Sequence, residues 1–352
     1  MSTQPESGTV LVSGGAGYIG SHVVHALKQA GFAPVVIDSL EKGNLWATKH
    51  AVAFRRGDVG DADFVRAVCD SFQPVAALHF AAFIEVGESV EKPDLYFENN
   101  RDKAKIFFEV LAEKAVRHVV FSSTAAVYGE AEEGLIREEA PMRPINPYGQ
   151  SKLEAEQALR SLSGIASVAL RYFNVAGAAP AAGLGEAHFP ETHVIPRLVL
   201  TQIGLPEDVL AALGLRGGFK LFGTDYPTRD GTAIRDYIHV CDLAEAHILA
   251  LTYLLGGGRT DIFNLGSGAG FSVGEIVAAG RVALERPDYM PAMAPRRPGD
   301  PAMLVADSTK ARTVLGWAPQ RGIEEMIRSA AEWHRSATYR DTILAKARAA
   351  AV

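Results

Sequence analysis

Cysteine, excess positive charge and long apolar runs are all scarce in this sequence. Only two cysteines occur in 352 residues, Cys69 and Cys241. They lie far apart with no CxxC spacing, which argues against a disulfide framework and fits a reducing cytoplasm. Basic residues number 35 against 41 acidic, for a formal net charge of −6. A broad nucleic-acid footprint needs a basic excess, so no nucleic-acid partner is expected. A few local arginines could still hold a small anionic ligand. No apolar run reaches the roughly 18 residues of a membrane span, and Ile248–Leu255 covers at most half of one. No membrane partner is expected. The start, Met1–Gly8, is polar and has neither the basic nor the apolar stretch of a leader. It reads as a short disordered lead-in to a cytoplasmic protein.

What remains is 48% hydrophobic and 22% charged, enough to bury a large core. The length suits two domains. Thr9–Ser13, Ala33–Asp38, Val75–Ala81, His118–Ser123 and Ala166–Tyr172 are short apolar runs that predict buried strands. Helical stretches fill the gaps, at about Tyr18–Ala30, Asp94–Val116 and Pro147–Leu162. Such alternation predicts an α/β fold, a doubly wound parallel sheet covered on both faces. Ala178–Pro190, rich in Ala, Gly and Pro, reads as a loop or boundary. Beyond it come a helix near Asp242–Leu255, a strand at Asp261–Leu265, a helix from Ser272 and a last helix near Ile323–His334. The Ala-rich tail Ala345–Val352 is expected to fray. A Rossmann domain over 8–180 is expected, receiving elements from 233–265. A smaller mixed α/β substrate domain over 181–340 interleaves with it.

Between the first strand and helix stands Gly14-Gly15-Ala16-Gly17-Tyr18-Ile19-Gly20. Its glycines let the backbone turn tightly against a pyrophosphate, which the helix N-terminus then favours. Asp38 closes the second strand eighteen positions after Gly20. Its carboxylate can accept from both hydroxyls of an adenosine ribose and would repel a 2′-phosphate, so NAD is expected rather than NADP. Asp58-Val59, after an apparent third strand, would lie near the adenine, although Asp58 could equally be a helix cap. Phe80-Ala81-Ala82 ends the fourth strand, where small residues let a cofactor pass, or simply pack.

Tyr148 and Lys152 are four apart and share a helix face. A free tyrosine, with pKa near 10, is a poor base. A nearby ammonium would favour the phenolate. Ser122-Ser123-Thr124 ends a strand at the carboxyl edge where open α/β sheets bind ligands, and Thr124 could relay or hold a proton.

These residues resemble the extended short-chain dehydrogenase/reductase superfamily. SGGAGYIGSH (13–22), VGESVEKP (86–93), SSTAAVYG (122–129), NPYGQSKLEAE (146–156), LRYFNVAGA (170–178), DGTAIRDYIHVCDLA (230–244), FNLGSG (263–268) and RRPGD (296–300) narrow the resemblance to the UDP-glucose (UDP-galactose) 4-epimerases. The similarity runs from about residue 9 to 336. It implies bound NAD and a UDP-sugar substrate, with Tyr148 as base, Lys152 beside it and Thr124 in place of a family Ser/Thr. To the cofactor residues already named it adds Tyr18, Ile19, Asn99, Ser122, Tyr172 and Phe173. For the substrate it implies Arg235 and Arg297 on the diphosphate, Asp300 on the uridine ribose and Asn174 on the diphosphate or sugar. His193-Val194 would form a substrate-side segment. Leu304 falls where a large residue excludes N-acetyl sugars and a small one admits them. A homodimer through the helices Asp94–Val116 and Pro147–Leu162 is also implied. Ile84-Glu85 departs from the pattern, standing where some members carry a cofactor-contacting lysine.

No metal is expected. His188 and His193 lack a usual ligand spacing, and the sequence shows no accompanying Cys or carboxylate cluster. His22 and His25 read as helix-surface residues. Among rivals, a 4,6-dehydratase needs an Asp-Glu pair after Thr124, where Ala125-Ala126 stands. A 4-epimerase of another UDP-sugar passes the same test. A non-catalytic NAD sensor would tend to lose Tyr148 or Lys152, and both are present.

Overall fold

The computed structural model describes residues 8–130, 134–296 and 301–350. The amino-terminal strands are β1 (Thr9–Ser13), β2 (Ala33–Asp38), β3 (Ala53–Arg56), β4 (Ala76–His79), β5 (His118–Thr124) and β6 (Ala166–Tyr172). Shorter strands follow: β7 (Asn174–Ala176), β8 (Lys220–Phe222), β9 (Ile234–Arg235) and β10 (Tyr237–His239). The last four are β11 (Asp261–Leu265), β12 (Phe271–Ser272), β13 (Ala292–Ala294) and β14 (Met303–Leu304). One seven-stranded sheet runs β11-β6-β5-β4-β1-β2-β3, and every pair in it is parallel. The strand order reverses between β1 and β4, which opens a crevice at their carboxyl ends. β11 joins the sheet at its edge, beside β6.

Alternation along the strands explains the two-sided cover. Val10 and Val12 of β1 pack on one face with Val23, Val24 and Leu27 of helix Tyr18–Gln29 and with Leu243 and Leu251 of helix Val240–Leu255. Leu11 points to the other face, with Val65 of helix Ala62–Phe72 and Phe107 and Phe108 of helix Lys103–Glu113. A separate core unites Ile195, Leu198, Ile276, Met326 and Ile327, from the helices Val194–Leu200, Val273–Ala283 and Ile323–His334. It underlies the second domain.

Three expectations need correction. The helix expected over Asp94–Val116 is broken: Pro93–Tyr96 is α-helical, Phe97–Asp102 is a six-residue π segment and Lys103–Glu113 resumes the α-helix. The wide turn carries Asn100 inward. Its side chain accepts from Phe83 N at 2.8 Å and donates to Phe83 O at 2.9 Å, pinning the chain beyond β4. The tail Ala345–Val352 does not simply fray: helix Ala337–Ala350 continues into it, and Lys346 donates to Ala187 O at 2.9 Å. His22 is not a surface residue: it is buried, its Nδ1 lies 2.7 Å from Tyr18 O, and burial lowers its pKa to about 4. The lead-in Met1–Ser7 and the end of the tail, 351–352, lie outside the described residues.

Candidate active site

The glycine loop is packed too tightly against neighbouring backbone to carry side chains at two of its glycines. Gly14 has φ +72°, and a Cβ there would meet Ala81 N at 2.5 Å and Phe80 C at 2.7 Å. A Cβ on Gly20 would meet Gly14 O at 2.3 Å. Gly17 caps helix Tyr18–Gln29 with no side-chain hydrogen bond, so its cap leaves the first-turn N–H groups to a ligand. Tyr18 donates to Gly177 O at 2.6 Å, and Ile19 packs on the core.

Asp38, almost fully buried at the end of β2, accepts from Ala16 N at 3.0 Å and Leu40 N at 2.8 Å. Burial raises its pKa and these two backbone bonds oppose the rise. Asp58 pairs with Lys103 at 2.6 Å and accepts from Gly60 N. The cap of the next helix is Asp61, three residues on. Val59 is buried beside it, Phe80 packs on His247, and Asn99 bonds Asn100. Ala82 lies half-buried just beyond Phe80 and Ala81.

Thr124 ends β5 and Tyr148 opens helix Pro147–Ser161. Pro147 at the first position and Asn146, which accepts from Gly149 N at 2.8 Å, start that helix. Gly149 lets it come close: a Cβ there would lie 2.5 Å from Ala126 O. Tyr148 is thereby brought beside Thr124, whose side chain acts to lower its pKa. Lys152, one turn on, is buried with Nζ 4.3 Å from the Phe121 ring centroid. Burial raises the Tyr148 pKa, and Thr124 only partly offsets it. Burial lowers Lys152 to about 7, against the pull of Glu156. The Lys152 head lies against Phe121, where burial disfavours its charge.

Behind this edge, Ser122 and Tyr172 share a short hydrogen bond. Phe173 and Leu304 pack on the cluster of Val127, Tyr128 and Leu153. Leu304 in β14 is paired in register with Arg235 in β9. Asn174 donates to Asp236 O at 3.0 Å. His193 caps helix Val194–Leu200, whose first residue is Val194. Glu85 accepts from Thr192 at 3.1 Å, bridging the first domain to that segment. Arg297 and Asp300 lie outside the described residues.

Several contributing residues escaped the sequence reading. Arg171 and Glu156 form a fully buried pair at 2.6 Å, and Ser123 donates to the same carboxylate at 2.9 Å. Arg171 also donates to Tyr128 Oη, which in turn donates to Asn264. The signals were present: a charged residue inside the apolar run of β6, and a glutamate four after Lys152. His188 and His193 do have carboxylate neighbours, contrary to expectation. The chain turns Glu186 and Glu191 onto them, and the four ligand atoms lie within 4.8 Å of one another.

Residues 10–266 match the NAD dependent epimerase/dehydratase family. The chain belongs to that family. Within the NAD dependent epimerase/dehydratase family it is similar to a UDP-glucose 4-epimerase of Lacticaseibacillus casei. The two are 45% identical over 332 residues, 93% of this chain and 97% of that protein. The crystal structure of a UDP-glucose 4-epimerase superposes with TM-score 0.87 at 46% identity, covering 94% of this chain and 98% of that one. A UDP-glucose 4-epimerase from Brucella ovis, solved in complex with NAD, gives TM-score 0.84 at 40% identity, covering 92% and 98%. NAD is the cofactor this family uses, and the loop and Asp38 fit it. Nucleotide released by acid from the purified protein is therefore expected to be NAD(H). Recovery of mainly NADP(H) would contradict the role given to Asp38. Among the described residues, no helix is long and apolar enough to cross a membrane.

Proposed function

We propose that the protein interconverts UDP-glucose and UDP-galactose by inverting C4 of the sugar. The observation that carries this reading is Thr124 at the end of β5 beside Tyr148 on its helix, with Lys152 one turn on, at the open edge of a sheet whose switch point holds the glycine loop. NAD, held by Gly14, Gly17, Gly20 and Asp38, supplies a hydride acceptor that is also the donor, and its positive ring favours a phenolate nearby.

Tyr148 takes the proton of the sugar 4-hydroxyl through its phenolic oxygen and returns it after the sugar has turned over. Thr124 holds or relays that proton. Lys152, whose pKa burial lowers to about 7, stands one turn on from Tyr148. Inversion needs a firmly held diphosphate and a loosely held sugar. Arg235 supplies a guanidinium from β9, a group suited to phosphate oxygens, and Arg297 and Asp300 are assigned to the diphosphate and uridine by resemblance. Asn174 and the His193-Val194 segment flank the sugar. A dehydratase reading is disfavoured, since Ala125-Ala126 forms a short 3₁₀ turn with no titratable group.

Leu304, like Ala125 and Phe173, packs on the cluster of Val127, Tyr128 and Leu153, and by resemblance it limits the sugar's C2 substituent. UDP-galactose, UDP-N-acetylgalactosamine and UDP-xylose, each incubated with the protein and resolved by NMR, test both points. UDP-galactose should yield UDP-glucose. Leu304→Tyr should suppress turnover of the N-acetyl sugar and spare UDP-galactose, and Leu304→Ser should widen scope. Identical ratios in all three proteins would remove the gate from Leu304. The same reading places the enzyme in the cytoplasm, consistent with two free cysteines, and pairs two copies through the helices 103–113 and 147–161.

A further inference from the structure

A second cluster of functional groups lies outside the catalytic edge. Residues 186–193, Glu-Ala-His-Phe-Pro-Glu-Thr-His, fold so that Glu186, His188, Glu191 and His193 converge. His188 Nδ1 is 2.7 Å and His193 Nδ1 2.9 Å from the same oxygen, Glu186 Oε1. His193 Nδ1 is also 3.0 Å from Glu191 Oε1. Both glutamates are almost completely buried, and burying two carboxylates is costly unless opposite charge meets them. The histidines do not complete that compensation. Both rings address one oxygen of Glu186, while Glu191 Oε2 is buried without a hydrogen-bond partner. The Tyr339 hydroxyl is also buried and unpartnered, and burial, followed by the charges of Glu191 and Glu186, raises its pKa.

We propose that Glu186, His188, Glu191 and His193 form a structural site for one divalent transition-metal ion, with zinc the best fit. Two imidazole nitrogens and two carboxylates make a four-ligand set whose two negative charges balance a dication. The imidazoles disfavour calcium and magnesium, which prefer oxygen. A tetrahedral zinc with bonds of about 2.0–2.2 Å separates its ligand atoms by roughly 3.3–3.5 Å. The present contacts at 2.7–3.0 Å lie inside that value and the 4.8 Å limit lies outside it. Side-chain shifts of roughly 0.5–1.5 Å convert one arrangement into the other.

The ion would clamp a junction. Trp333 Nε1 donates to Glu186 O at 2.7 Å, fixing the segment to helix Ile323–His334. Arg197 donates to Glu191 O at 2.9 Å. The His188 ring meets Tyr18 of the glycine loop edge-on, at 6.3 Å between centroids. His193 opens helix Val194–Leu200. One ion would thus tie the nucleotide loop to the substrate-side helix. The site stands on its own geometry and does not depend on which sugar is turned over.

The test uses the NAD-loaded protein, stripped of metal with a chelator and titrated with Zn²⁺ against a chromophoric competitor. One ion per chain is expected. Glu186→Gln and His188→Ala should each weaken binding by at least about a hundredfold, beyond what loss of an outer-shell partner costs. Loading the wild type with Co²⁺ should give the intense visible bands of four-coordinate cobalt. No stoichiometric binding, or equal affinity in wild type and both variants, would overturn the site and leave a cluster closed by its own protons. If loss of bound NAD shows that a variant has not folded, the wild-type cobalt spectrum decides: weak bands of six-coordinate cobalt would overturn the proposal.

Discussion

Tyr148→Phe is expected to lower UDP-galactose turnover by at least about a hundredfold while leaving the fold and bound NAD intact. The substitution removes one oxygen and keeps the ring, whose edge-on contact with Tyr96 persists at 6.5 Å between centroids. General acid–base catalysis contributes typically about 10²–10⁴-fold, so the loss should fall in that range. Thr124→Val should cost less, because it removes a hydroxyl that lowers the tyrosine pKa and leaves the base itself in place. Steady-state rates at saturating substrate check both. A Tyr148→Phe enzyme within about threefold of wild type would pass the role of base to Thr124 or a bound water.

The second large effect is on stability. Arg171 and Glu156 are both fully buried, and either residue alone would be an uncompensated charge inside the protein. Arg171→Met or Glu156→Leu should therefore cost about 3–5 kcal/mol in denaturant unfolding. The double variant carries neither charge and should recover much of that loss. Ser123 and Tyr128 would still lose partners, so full recovery is not expected. Single variants as stable as wild type would show that water reaches the pair. Glu156→Gln separates a second effect: Glu156 is the group that raises the Lys152 pKa, so the lysine should titrate below its present value of about 7.

Much of the nucleotide half is legible in the sequence because the central strands are buried on both faces. Thr9–Ser13, Ala33–Asp38, Ala166–Tyr172 and Asp261–Leu265 are short and mainly apolar, and the structure places strands on those same residues. The glycine loop is legible because close backbone approach excludes a Cβ, as Gly14 and Gly20 show. The π segment at Phe97–Asp102 is not legible: its apolar spacing still looks helical, and the extra residue per turn is decided by Asn100 bonding Phe83. The helix Ala337–Ala350 was missed because alanines carry little amphipathic signal. Tyr339 and Ile343, which hold it down, meet partners far away in sequence. The Glu186–His193 cluster escaped for a related reason. The ligand spacings fit no regular helix, and only the folded turn brings the four side chains together. Proton affinities were the least legible of all. Spacing put Lys152 on the same helix face as Tyr148, but burial against Phe121 decides its charge.

The most direct test of the account follows one hydrogen. UDP-galactose bearing deuterium at C4 is incubated with the purified protein in ordinary water, with no nucleotide added. Inversion by hydride removal and return within one closed site predicts UDP-glucose that keeps its deuterium at C4, detected by NMR and mass spectrometry. UDP-glucose bearing protium at C4, or no 4-epimer at all, would contradict it.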